Sequence, residues 1–280
     1  MKTMVKSLIV FALSLMMAGQ TMAQTVLDGV YIKENTPKRK VIPYAPLREA
    51  DVVWSKRVWR IIDLREKINH SLYYPEKPAN ERKSMMDVVK SAIQEGRLTA
   101  FASNSDDFTQ PLTKSEVEDL LTRTDTLMKE DINTGEMIPT PTKTDLESKD
   151  VLQYMLKEDW FFDKQRSVLD VRIIGICPMK SKMSESGEFQ GFQQLFWIYY
   201  PEARYVFANA EVYNRKNDEE RRTIEDVLWK RQFTSFIFKE TNVYDRAIPE
   251  YKFGFNLDLL LESDRIKDDM FNWEHDLWHL

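Results

Sequence analysis

Asp159-Trp160-Phe161-Phe162-Asp163-Lys164, running on through Ser167 into Val171-Arg172-Ile173-Ile174-Gly175-Ile176-Cys177-Pro178, reads as a charged turn feeding a nearly unbroken apolar strand. The strand-like run covers 168–177. A second run at 192–200, again dense in Phe, Ile, Tyr and Trp, follows a polar segment containing Ser181, Ser184, Ser186 and Gly187. Two β-rich runs joined by turn-forming residues predict a long antiparallel hairpin buried on at least one face.

Helical patterns flank that hairpin. From Asp51, a stripe of Val53, Arg57, Ile61 and Leu64 predicts a helix with Lys56, Arg60, Arg65 and Glu66 facing out. Ser84 with Asp87 three residues on predicts an N-cap, with Met86, Val89 and Ile93 inward and Gly96 as the C-terminal glycine. Thr113 with Glu116 forms a capping box ahead of Val117, Leu120 and Leu121. Thr144 with Glu147 repeats it ahead of Val151, Leu152, Met155 and Leu156. Between these two, Asp131 to Thr142 is rich in Thr, Pro and Gly and reads as a loop, with a subdomain boundary near 131–143. Pro201-Glu202 suits the first turn of a helix. Asn217 with Glu220 predicts the cap of another, with Ile224, Val227 and Leu228 inward. A last helix carries Ile266, Met270, Trp273 and Leu277 on one stripe. Helices, then strands, then helices define an α+β class, with helices flanking a small, mainly antiparallel sheet.

The N-terminus sets the compartment. Lys2 and Lys6 precede an apolar run from Leu8 to Ala18, and Gly19 to Ala23 lead to Gln24, which is the three-part pattern of a secretory signal peptide over residues 1–23. That run is shorter than the ~20 residues a bilayer core requires. With no Cys at the junction, an N-terminal lipid anchor is not expected. The mature chain is thus expected to be exported, to the periplasm or beyond in a bacterium with two membranes. Residues 24–50 have little periodicity, Pro37, Pro43 and Pro46 interrupt them, and Lys38-Arg39-Lys40 keep them solvated. They read as an extended arm, either a leader without structure or a strap lying on a neighbouring subunit, ahead of a domain over 51–280. The single cysteine, Cys177, excludes an intramolecular disulfide. Loss of Lys2 and Lys6 takes the net charge from −5 to −7 with both signs interspersed, so no nucleic-acid-binding face is indicated.

Little in the chain carries chemistry. Cys177 lies inside an apolar strand, where desolvation makes a thiol inert. The 8 glycines are scattered singly and build no phosphate loop. His275 and His279 share a helix face at i, i+4 spacing, half of a zinc site, but the Glu of the zinc-protease pattern is missing. They read as the rim of a packing contact made by Leu277 and Trp278. The acid pairs Asp106-Asp107 and Asp268-Asp269 read as solvated surface. Asn214 to Arg222 reads as a charged helix start or an interaction rim. No catalytic residue, cofactor-binding residue, metal ligand or cofactor is expected, and more than half of the 7 Trp are expected in the core.

Several Trp-rich blocks recur in the order of a known family: Trp54-Ser55-Lys56-Arg57-Val58-Trp59-Arg60-Ile61-Ile62-Asp63, the opening stretch at 159–178, Phe196-Trp197-Ile198-Tyr199-Tyr200-Pro201-Glu202, Asn214-Arg215-Lys216-Asn217, Trp229-Lys230-Arg231-Gln232-Phe233 and Glu274-His275-Asp276-Leu277-Trp278-His279. The chain resembles the gliding-motility family GldN, also called PorN, of the type IX secretion system. That resemblance implies a non-enzymatic periplasmic component in a ring with the GldK/PorK lipoprotein under the outer membrane. It also implies self-association within the ring, contact with the GldM/PorM periplasmic domain of the inner-membrane motor, and support of protein export and of gliding. The alternatives are an exported carboxylate-dependent hydrolase, marked by a cleft with two spaced carboxyl groups, and a glycan-binding module, marked by a row of exposed aromatic rings.

Overall fold

The computed structural model describes residues 39–78, 82–130, 137–184, 188–214, 217, 220–252 and 256–277, with 123–130, 137–145 and Met183 described by backbone alone. Residues 1–38, where the signal peptide and the first part of the arm are expected, lie outside these residues, as do Trp278 and His279.

A 3-10 turn at Glu49–Asp51 leads into β1 (Val52–Asp63). There follow α1 (His70–Tyr73), α2 (Met85–Gln94), β2 (Ala100–Phe101) and α3 (Lys114–Leu120). A hairpin of β3 (Thr122–Glu130) and β4 (Met137–Asp145) forms a two-stranded sheet of its own. Next come a 3-10 turn at Ser148–Asp150, β5 (Val151–Asp163), β6 (Val168–Met183), β7 (Phe189–Gln194), β8 (Trp197–Tyr199) and α4 (Tyr200–Phe207). The chain continues through α5 (Ile224–Trp229), β9 (Phe236–Glu240), α6 (Ile248–Tyr251) and α7 (Asn256–Asp276). The main sheet is antiparallel in the order β2-β8-β6-β5-β1-β9, with β7 also paired to β6. This is the expected α+β class. No described helix is long and apolar enough to cross a membrane.

Two segments expected as helices are the strands that make the sheet large. In 52–63 the spacing that put Val53, Arg57 and Ile61 on a helical stripe also satisfies a period of two, and from Val58 to Asp63 both strand faces are buried. A strand covered on both faces loses the polar alternation that would identify it. The same holds for β5, where Val151, Met155 and Leu156 point to opposite faces of one sheet rather than to one side of a helix. Thr144 therefore opens no helix; it sits in β4, and Glu147 with Asp150 closes the short 3-10 turn instead. Residues 137–142, expected as part of a loop, are paired strand. The charged turn is also shorter than it reads: Asp159 to Asp163 belong to β5, and the reversal is Lys164 to Ser167, with Ser167 at φ 52°. Asp163 shapes it by accepting from Gln165 N at 2.9 Å and from Arg166 Nε at 2.7 Å.

The expected hairpin exists, with β7 and β8 both returning along β6, but the longest partner of β6 is β5. The caps at Ser84 and Thr113 are formed as expected, and Gly96 ends α2 at φ 75°. Pro201 lies in the first turn of α4. Thr223, boxed with Asp226, caps α5 in place of Asn217, because the helix starts later than the Asn/Glu spacing suggested. Ile224, Val227 and Leu228 do face inward.

Register places Leu156 opposite Ile176 and Ile176 opposite Ile198 on the face covered by α2, α4 and α5. On the other face Ile61, Met155, Cys177 and Trp197 pack with Phe101, Phe108 and Phe236. A third cluster joins Val58 and Ile237 to Ile266 and Met270 of α7. Gly175 is required by close approach, since a Cβ there would stand 2.5 Å from the Phe108 ring. Of the described tryptophans, Trp59 and Trp197 are buried, Trp54 and Trp160 pack half-buried against the third cluster, Trp273 is half-buried and Trp229 is exposed.

Cys177 is fully buried, and burial pushes its thiol up to about 12. The reactive thiolate is therefore scarce at pH 8. Iodoacetamide at that pH is expected to leave native protein unlabelled and to label it fully in denaturant, as read by intact mass. Rapid labelling of native protein would contradict the placement of Cys177 in the sheet.

Candidate functional site

Two surfaces stand out, and the first is a strap. Residues from Arg39 to Arg48, the described part of the expected extended arm, run without regular structure along their own domain. Arg39, expected at a wet rim, donates from Nη1 to Asp226 at 2.9 Å and from Nη2 to the Arg221 carbonyl at 2.5 Å. Arg204 of α4 is 4% exposed at its position inside the domain. Its Nε donates to Glu225 at 2.6 Å and its Nη2 to the Ile42 carbonyl at 2.7 Å, while the Tyr200 hydroxyl donates to the other Glu225 oxygen at 2.7 Å. Burial and the neighbouring Glu225 charge raise the Tyr200 hydroxyl, so it stays a donor.

That network positions a column of rings and guanidinium groups. Arg204 lies 4.2 Å from the Tyr44 ring centre and 4.5 Å from that of Trp229. Arg172, on the other side, lies 4.9 Å from Tyr44 and 5.2 Å from Phe161. Beside the column opens a cleft of about 470 Å³, walled by Tyr44, Trp229, Arg166, Asp170, Arg172 and Arg231. Sequence reasoning missed it because its parts come from the arm, β6, α4 and the end of α5.

The second surface is the outer face of α7. Its inner stripe, Ile266 and Met270, is buried, and Trp273 stacks on Trp54 at 4.6 Å. Ser263 Oγ accepts from Ile237 N at 2.7 Å, tying the helix to β9. Leu257, Leu260, Leu261 and Phe271 are 65%, 45%, 59% and 64% exposed. At 3.6 residues per turn these four fall on one stripe opposite the core-facing one. The second apolar period was legible in the sequence beside the first and passed unread.

The residues weighed for chemistry fall out as follows. Asp106, expected as solvated surface, is held inside a second cleft: its Oδ2 accepts from Trp59 Nε1 at 2.7 Å and lies 3.2 Å from the buried Lys157 ammonium. Asp107 takes the Ser105 hydroxyl instead, so the pair is divided. Asp269 is bound to Arg265 at 2.7 Å on an exposed helix face. His275 is exposed, 3.9 Å from Asp276, and its helical neighbour His279 lies outside the described residues. Among the described residues no three His, Cys, Asp or Glu side chains converge as a metal site.

The family model for the gliding motility associated protein GldN matches residues 47–279, nearly the whole domain and everything after the strap. The chain belongs to the GldN family, and with it to the proteins of gliding motility and type IX secretion. No curated protein matches it.

Proposed function

We propose that this protein is a non-enzymatic periplasmic structural component of the type IX secretion system. In this reading it requires no cofactor, associates with further copies of itself and with a GldK/PorK-like lipoprotein in a ring beneath the outer membrane, and meets the GldM/PorM-like periplasmic domain of the motor. The family match over 47–279 carries the proposal. The signal-peptide pattern at 1–23 supports export, and the apolar outer stripe of α7 supplies the kind of surface that assembly consumes.

Affinity isolation from detergent-solubilised envelopes tests it. The tagged protein is expected in a large particle with the lipoprotein, and deletion of its gene is expected to abolish type IX export. A cytoplasmic monomer, or export unchanged by the deletion, would overturn the reading.

A further inference from the structure

The cleft beside the strap holds an arginine edge that is only half used. Elsewhere in this protein the same guanidinium edge, Nε with Nη2, is a carboxylate fork: Arg57 grips Asp159 through Nε at 2.6 Å and Nη2 at 2.9 Å. In Arg172, Nη2 donates to the Ala45 carbonyl of the strap at 2.7 Å, and Nε is buried with no hydrogen-bond partner among the described residues. A neutral carbonyl thus fills one prong of a two-pronged donor, and the other prong is left without an acceptor.

Charge points the same way. Of the cations lining the cleft, Arg166 pairs with Asp163 and Asp170, Lys230 with Asp226, and Arg231 with Glu158. Arg172 has no carboxylate among the described residues. Arg172 is thus the lining cation left without an ion-pair partner among the described residues, and with Asp170 also in the wall a singly charged carboxylate suits the site better than a doubly charged phosphate. The remaining walls, Tyr44 and Trp229, offer an aromatic surface to whatever carries the anion.

We propose that this cleft is a binding site for a carboxylate-bearing peptide with a neighbouring aromatic side chain, which takes Arg172 side-on through Nε and Nη2 and displaces the Ala45 carbonyl. The strap is then a latch: seated, it covers Arg172; exchanged, it is released from the domain. The inference rests on the cleft alone and does not depend on the assembly reading.

Calorimetric titration of the full exported chain tests it, with acetyl-Phe-Asp-amide carrying a side-chain carboxylate and acetyl-Gly-Phe carrying a terminal one. Binding by either supports the site, and the tighter of the two identifies the source of the carboxylate. The isosteric acetyl-Phe-Asn-amide, and the Arg172→Gln variant, are each expected to weaken binding at least about tenfold, the scale of a charge-assisted hydrogen bond. Because Arg172→Gln also loses contacts to Tyr44 and Phe161, a second measurement uses the unaltered protein. Saturating peptide is expected to speed amide hydrogen exchange in 39–48 while leaving β5 and β6 unchanged. No binding of either carboxylate peptide, measurable binding of the Asp and Asn peptides with equal affinity, equally tight binding of inorganic phosphate, or a strap whose exchange does not change would overturn the proposal.

Discussion

Glu158→Ala is expected to destabilise the protein by about 3–5 kcal/mol, the cost of removing one partner from a buried ion pair. Glu158 is fully buried in β5. Its two oxygens accept from Arg231 Nη1 at 2.9 Å and Nη2 at 3.2 Å, and Trp160 Nε1 donates to it at 3.1 Å. The same carboxylate faces Arg60, which burial pulls below the usual arginine range while the Glu158 charge holds it up. Its loss leaves two guanidinium groups, those of Arg60 and Arg231, close together in a poorly solvated place. Glu158→Gln keeps the volume and part of the hydrogen bonding, and its loss is expected to be smaller. The shift of the urea midpoint at constant slope measures both. A loss under about 1 kcal/mol for the alanine variant would mean that the pair behaves as a surface pair.

Ile176→Asp is expected to abolish cooperative folding, whereas Ile174→Asp, two residues away, is expected to leave a soluble protein with a sharp thermal transition. Both residues fall in the apolar run that the sequence marks as strand, and the structure separates them. Ile176 is fully buried between Leu156 and Ile198. Ile174 is the extra residue where the register of β6 against β5 shifts, between Ile173 opposite Glu158 and Gly175 opposite Lys157, and it is only half-buried. An Asp at 176 must bring a charge into apolar packing or take up a proton, at a cost of several kcal/mol. At 174 it can reach water. Circular dichroism melts of the two variants decide the matter, and the reverse order would show that the bulge lies elsewhere.

Both predictions turn on which side of a strand is covered, and that is where the sequence falls silent. By itself the sequence determined the caps of α2 and α3, the glycine that ends α2, the proline that opens α4, the core stripe of α7, the β7/β8 return along β6, the inertness of Cys177 and membership of the family. Each of these is a short-range matter of φ/ψ preference, side-chain capping or local burial, or of blocks matched along the chain. Only the tertiary structure decided that 52–63 and 151–163 are strands, since residues apolar at both two- and three-to-four-residue spacing satisfy either geometry until a partner pairs with the backbone. It alone also set Arg231 against Glu158 and drew Tyr44 between Arg172 and Arg204. Such contacts join positions far apart in the chain, and their energy comes from desolvation and pairing that exist only once the sheet has closed around them.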